Sequence, residues 1–254
     1  MNYLIIVLDS ARYDCFVTAD TPNFDKVGKP LKAHSQSPCT IYSIMGYLYN
    51  LGPVTSKVVS SDKGKYVETN DVLIPEIPKH TWLPSYFQKK GYYTGLLTGN
   101  PMVYSVFRRV YDHGWNIFEG YKYGDQYCMK EIVDDLLELT EKEPYFLFVL
   151  PMDTHFGYYD GKEAYGYLAP WFRLDLEKLR RFQIKSIEYC DKQFGRLLPK
   201  LRDCRVIITS DHGDMHGEHG DVYGVNVRHF GHGIGVVSPI LFRVPLIRGE
   251  MKNI

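Results

Sequence analysis

The chain has 254 residues, 44% of them hydrophobic, and its 30 basic residues balance 30 acidic ones for a formal net charge of zero. That length fits a single α/β catalytic domain over residues 1–254, and the even charge excludes bulk electrostatic capture of nucleic acid or of an anionic membrane surface. No apolar run approaches membrane-spanning length, and Met1-Asn2-Tyr3-Leu4 enters a strand with no basic leader, so a cytoplasmic location is expected. Cys15, Cys39, Cys128, Cys190 and Cys204 are scattered without CxxC spacing and are expected as free thiols.

In chain order, Tyr3 to Leu8 is a continuous apolar run, which predicts a strand covered on both faces, as in a parallel sheet flanked by helices. Thr21-Pro22-Asn23-Phe24-Asp25 reads as a turn into a short helix, residues 31–35 as a short extended segment, and residues 41–51 as a helix. Residues 54–80 lack periodicity and are expected to form a surface excursion. Trp82 to Lys90 predicts a helix stopped by Gly91, and Tyr92 to Leu97 the next strand, a βαβ-like alternation. Helical spacing returns over 127–143, followed by strand Tyr145 to Leu150, an amphipathic helix over 174–201, a strand over 205–208 and an apolar segment over 242–247. The stretches 54–80, 101–126 and 156–173 are expected to be pocket loops.

The informative residues sit where these strands stop. Ile207-Ile208-Thr209-Ser210 runs into Asp211-His212-Gly213-Asp214, the first strand ends in Asp9, and the strand after residue 145 leads to Asp153 and His155. A carboxylate and an imidazole at the buried end of a strand are costly unless something binds them, and a divalent cation does so. In an open parallel sheet, ligands collect beyond the carboxyl ends of the strands, so Asp9, Asp211 and His212 can converge from distant positions. Alone, Asp9 reads equally as a helix cap or turn former.

Taken together, these segments resemble the sulfatase-like branch of the alkaline phosphatase superfamily. Leu8-Asp9-Ser10-Ala11-Arg12-Tyr13-Asp14, Thr21 to Asp25, Met152-Asp153-Thr154-His155-Phe156-Gly157-Tyr158, Ser210 to Gly220 and Arg243-Val244-Pro245-Leu246-Ile247 match five of its patterns in order. The resemblance implies a mostly parallel central sheet with helices on both faces and, with the chain ending soon after Ile247, a core lacking the usual C-terminal subdomain. Aligned on the preceding Ser-Pro, Thr40 takes the nucleophile position; Cys39 is one place off and lacks the context for conversion to formylglycine.

By that resemblance the expected activity is metal-dependent hydrolysis or transfer of phosphate or phosphonate esters. Asp9, Thr40, Asp211 and His212 would hold a divalent ion, Zn, Mn or Ca, and Asp153 with His232 is the pair open for a second ion. His155 and His232 are the candidates to contact the phosphoryl group or protonate the leaving oxygen. Asn100 stands near the place of the sulfate-gripping Lys-x-His segment and is expected at the substrate. The alternatives are a sulfatase and a non-catalytic binding descendant. The substrate is expected to be a small-molecule or glycan- or lipid-type ester, with no nucleic acid and no membrane span. Arg12 and Asp14 are expected to form a supporting ion pair, and His216 and His219, in a glycine-rich loop, are open between solvent and ligation. Ser43 is expected to hydrogen-bond at the helix start, with service as an alternative nucleophile the lesser reading, and His34, His80 and His113 carry no motif.

Overall fold

The computed structural model describes residues 1–49, 66–69, 72–75, 82–110, 113–120, 127–162, 164–165, 175–233 and 235–252. In chain order the elements are β1 Asn2–Leu8, α1 Tyr13–Phe16, β2 Leu31–His34, α2 Thr40–Tyr49, β3 Tyr66–Thr69, β4 Val72–Pro75, α3 Leu83–Lys89, β5 Tyr93–Thr98, α4 Pro101–Val110 and β6 Ile117–Gly120. They continue with α5 Met129–Leu139, β7 Tyr145–Leu150, β8 Gly157–Tyr159, β9 Ala164–Tyr165, α6 Leu176–Leu197, β10 Cys204–Ser210, β11 Met215–Val222, β12 Val225–Gly231, β13 Val236–Val237, α7 Pro239–Phe242 and β14 Arg243–Met251.

Seven strands form the central sheet in the order β2-β14-β10-β1-β7-β5-β6. The five from β10 to β6 run parallel, while β14 and β2 complete one edge antiparallel. The continuous apolar runs have their expected cause: successive side chains of a strand face opposite sides, and here both sides are covered. Leu4, Ile6, Leu8, Tyr145, Leu147 and Val149 pack against α5 and α6 through Met129, Ile132, Leu136, Ile187 and Phe194. Val7, Phe146, Phe148 and Leu150 pack on the other face against Ile41, Ile44, Leu48, Trp82, Val103 and Phe107. The Thr21-to-Asp25 segment is held from α6, where Asp191 accepts the N–H groups of Asn23 and Phe24 and the side-chain amide of Asn23.

Three expectations change. Residues 101–126 are not all loop, since α4 and β6 occupy 101–110 and 117–120. Asn100 caps α4 by accepting N–H bonds from Met102 and Val103, and Pro101 opens the helix, a start signal present in the sequence. The segment after Asp214 is a three-stranded sheet, β12-β11-β13, and within 54–80 the described residues form the hairpin β3–β4. The remainder of 54–80, His80, and much of 163–174 lie outside the described residues.

Candidate active site

The parallel register brings the strand ends together. Leu8 pairs with Ser210, so Asp9 and Asp211 leave neighbouring strands side by side, and the Asp9 and Gly99 amides donate to Pro151 and Leu150 carbonyls across the same edge. Between them, Ser10 adopts a φ of 60°, the left-handed region that non-glycine residues rarely enter. That turn aims its N–H at Asp211 Oδ1 and its hydroxyl at Asp9 Oδ1, each at 2.9 Å. Asn100 Nδ2 donates to Asp9 Oδ2 at 2.8 Å, and Thr154 Oγ1 to the Asp9 carbonyl at 2.6 Å. Both acids are fully buried. Burial, followed by the neighbouring Asp211 charge, raises the Asp9 carboxyl above its ordinary range, and burial raises Asp211 against the donors from Ser10 and Thr40.

Three ligand atoms, from Asp9, Asp211 and His212, lie within 4.8 Å of one another, and among the described residues no other such trio of His, Cys, Asp or Glu occurs. The His212 ring is completely buried and its Nδ1 faces the Gly213 carbonyl at 2.8 Å, which fixes the proton on Nδ1. Burial, then the charge of His232, lowers the imidazole to about 3, so it is neutral. Nε2 therefore presents a lone pair, 3.2 Å from Asp211 Oδ2 and 3.1 Å from Thr40 Oγ1. The Thr40 hydroxyl has one proton and two acceptors, and Asp211 Oδ2 is a buried oxygen with no hydrogen-bond partner. Opposed lone pairs in a dry site are unfavourable unless a cation lies between them. The donor set therefore fits a divalent ion held by Asp9, Asp211 and His212 with Thr40 beside it, and its mixture of oxygen and nitrogen suits zinc or manganese better than calcium.

Thr40 is the first residue of α2, 5% exposed, and the positive end of the helix dipole favours an anion there. Ser43 turns its hydroxyl to the Ser37 carbonyl at 3.0 Å, away from nucleophile duty. Cys39 accepts an N–H from Ile41, and burial pushes its thiol up to about 11. His155 and His232 stand over the site, their rings 5.2 Å apart, with His232 4.1 Å from His212. Burial alone would lower the His232 imidazole, but the hydrogen bond to Asp214 and that carboxylate's charge raise it to about 9.

Two placements differ from expectation. Asp153 stands apart from the trio: its Oδ2 accepts the Met129 N–H at the start of α5, and its buried Oδ1 has no partner. The pull of the helix N-terminus explains why this acid turns from the strand-end cleft, and burial raises its carboxyl to about 7. Asn100 spends its amide on Asp9 and its carbonyl on α4, so it orders a ligand rather than facing outward. Arg12 and Asp14 form the expected ion pair at 2.8 Å, extended by Glu218. His216 is fully buried while His219 is exposed, and His34 is exposed. Sequence reasoning gave no role to Ser10, Gln183, Tyr158 or Asp214. Ser10, Tyr158 and Asp214 lie inside matched family patterns, whereas Gln183 carried no local signal.

Comparison with known proteins follows the same lines. The sequence profile of the sulfatase family matches residues 1–247. Among solved structures, the chain is similar to the C-terminal periplasmic domain of phosphoethanolamine transferase EptC from Campylobacter jejuni, with a TM-score of 0.64 and 13% identity over 98% of this chain and 78% of that one. It is similar to the corresponding Escherichia coli domain in complex with Zn, with a TM-score of 0.61 and 13% identity over 98% and 72% of the two chains. It is also similar to a phosphonate monoester hydrolase of Agrobacterium radiobacter, with a TM-score of 0.65 and 15% identity over 97% and 67%. Comparison with curated protein sequences returned no match. No helix of the described residues is long and apolar enough to cross a membrane.

Proposed function

The chain belongs to the sulfatase family, and from that premise we propose that it is a metal-dependent hydrolase or transferase of phosphate or phosphonate esters with Thr40 as the nucleophile. The observation that carries this reading is the gathering of ligand atoms from Asp9, Asp211 and His212 within 4.8 Å of one another, with the Thr40 hydroxyl, at a helix N-terminus, 3.1 Å from His212 Nε2. A divalent ion in that trio would supply Lewis-acid stabilisation and lower the proton affinity of the hydroxyl.

The rest of the chemistry belongs to side chains. Thr40 Oγ1 attacks phosphorus as the bond to the leaving oxygen breaks, and the covalent Thr40 ester is then opened by water or by a second hydroxyl. The N-terminus of α2 favours the anionic group, while His155 and His232 stand on the open side of the trio to hydrogen-bond its oxygens or the departing one. Two neighbours of like fold are described as a phosphoethanolamine transferase and a phosphonate monoester hydrolase, which supports chemistry at phosphorus. A hydroxyl rather than a cysteine at the helix start disfavours sulfate esters as the main substrate.

Purified protein assayed with manganese, zinc or calcium against aryl phosphate monoesters, diesters and sulfates tests the reading. Phosphoester turnover is expected, and Thr40→Ala should lower it by at least about 10³-fold with the fold intact. Preferential sulfate turnover, or none with metal bound, would overturn the reading.

A further inference from the structure

His232 is held by something the metal trio does not include. Its Nδ1 lies 3.0 Å from Asp214 Oδ1, and since a carboxylate only accepts, the proton is on Nδ1. The other oxygen, Asp214 Oδ2, accepts the Tyr158 hydroxyl at 3.2 Å, and that hydroxyl lies 2.8 Å from His216 Nε2. The donors then run in one sense, His216 to Tyr158 to Asp214, with His232 donating from the other side. Asp214, Tyr158 and His216 are all fully buried. Arg12 Nη1 donates to the Asp214 carbonyl at 3.2 Å and also meets Glu218, so backbone and side chain of Asp214 are fixed together. With Nδ1 engaged, only Nε2 of His232 is left for the cleft shared with His155 and His212.

We propose that Asp214, braced by Tyr158, is a positioning residue that holds the Nδ1–H and the ring angle of His232 so that Nε2 meets the phosphoryl group. This rests on the phosphoester reading above. A carboxylate that only fixes an imidazole controls which nitrogen reacts, and losing it in comparable dyads costs up to about 10⁴-fold in rate. The network spans the start of β11, the middle of β8 and the strand-end loop carrying Arg12, so one imidazole is indexed to three elements.

The test is a double-substitution cycle on the metal-loaded protein, read by aryl phosphate turnover and by the dissociation constant for inorganic phosphate. Asp214→Asn and Asp214→Ala should each slow turnover by about 10²–10⁴-fold, with zinc affinity unchanged within about threefold. Asp214→Ala combined with His232→Ala should be no slower than His232→Ala alone, because Asp214 acts through His232. Nitrogen-edited NMR, read at a pH above the titration of the ring, should find the remaining His232 proton on Nδ1, with that preference lost in Asp214→Ala and weakened in Tyr158→Phe. Multiplying losses in the double variant, a neutral wild-type ring that keeps its proton on Nε2 instead of Nδ1, or an unchanged phosphate affinity in Asp214→Asn would overturn the proposal. If phosphate binds but no ester turns over, the functional reading fails while the phosphate cycle still decides the role of Asp214. If phosphate does not bind either, both fall.

Discussion

Ser10 shows how much of the site depends on one backbone angle. Its left-handed φ lets a single residue donate to both acids, by N–H to Asp211 and by hydroxyl to Asp9. Donors that orient metal ligands are worth roughly 10–100-fold in affinity, so Ser10→Ala should weaken zinc or manganese binding by that factor in a calorimetric titration while the melting temperature of the metal-free protein moves little. An unchanged affinity would show that the two acids hold their geometry without the hydroxyl.

Asp153 supplies the pH prediction. Its folded value of about 7 lies above the unfolded value of 3.8 because burial disfavours the charged form. Between those values the folded state holds the proton more tightly, so stability is highest at low pH within the window and falls as pH rises from about 4 to 7. The penalty above that window is on the order of a few kcal/mol. Asp153→Asn keeps an acceptor for the Met129 N–H and removes the titration, so denaturant unfolding should show a flatter profile and a variant more stable than wild type at pH 8. A profile unchanged by the substitution would place the titration elsewhere.

At the scale of elements, α6 does more than cover the sheet. Gln183, completely buried in its middle, donates to the carbonyls of Ser10 and Thr154 and faces the Arg12 N–H with its oxygen at 3.4 Å. One helix thereby ties down the loops after β1 and β7, the two that carry Asp9 and His155. Gln183→Leu keeps the bulk but strands those backbone groups, at about 1–3 kcal/mol for each buried group left unsatisfied. Chemical unfolding should report a loss of roughly 2–4 kcal/mol, with weaker metal binding alongside. The helix was readable from its apolar spacing, whereas Gln183 was not: a polar residue on an amphipathic helix looks alike whether it meets water or a distant carbonyl.

For the whole molecule, the sheet gathers charge that the metal-free state must accommodate. Asp9 and Asp211 are buried side by side, and burial with mutual repulsion raises the Asp9 carboxyl. Replacing one acid by an amide should therefore stabilise the metal-free protein and remove its response to metal. In thermal melts, zinc at a hundred times its dissociation constant should stabilise wild type by about 2.7 kcal/mol and leave Asp211→Asn unmoved, with a chelator reversing the wild-type shift. A metal-dependent shift that survives Asp211→Asn would locate binding outside the trio.

The primary structure was sufficient for the buried parallel strands, because continuous apolar runs ending in acids have few other physical solutions, and for the motif order that marks the family. It also named Asp9, Asp211 and His212, since each sits where a strand stops. The direction in which Asp153 turns, the service of Asn100 to Asp9 rather than to a ligand, and the hydrogen-bond train from His216 to His232 were decided only by the folded chain. Those outcomes depend on pairs of residues up to 91 positions apart, such as Asn100 and Asp9. Local pattern reports what a segment buries; the partner that a buried polar atom finds is set when distant segments pack.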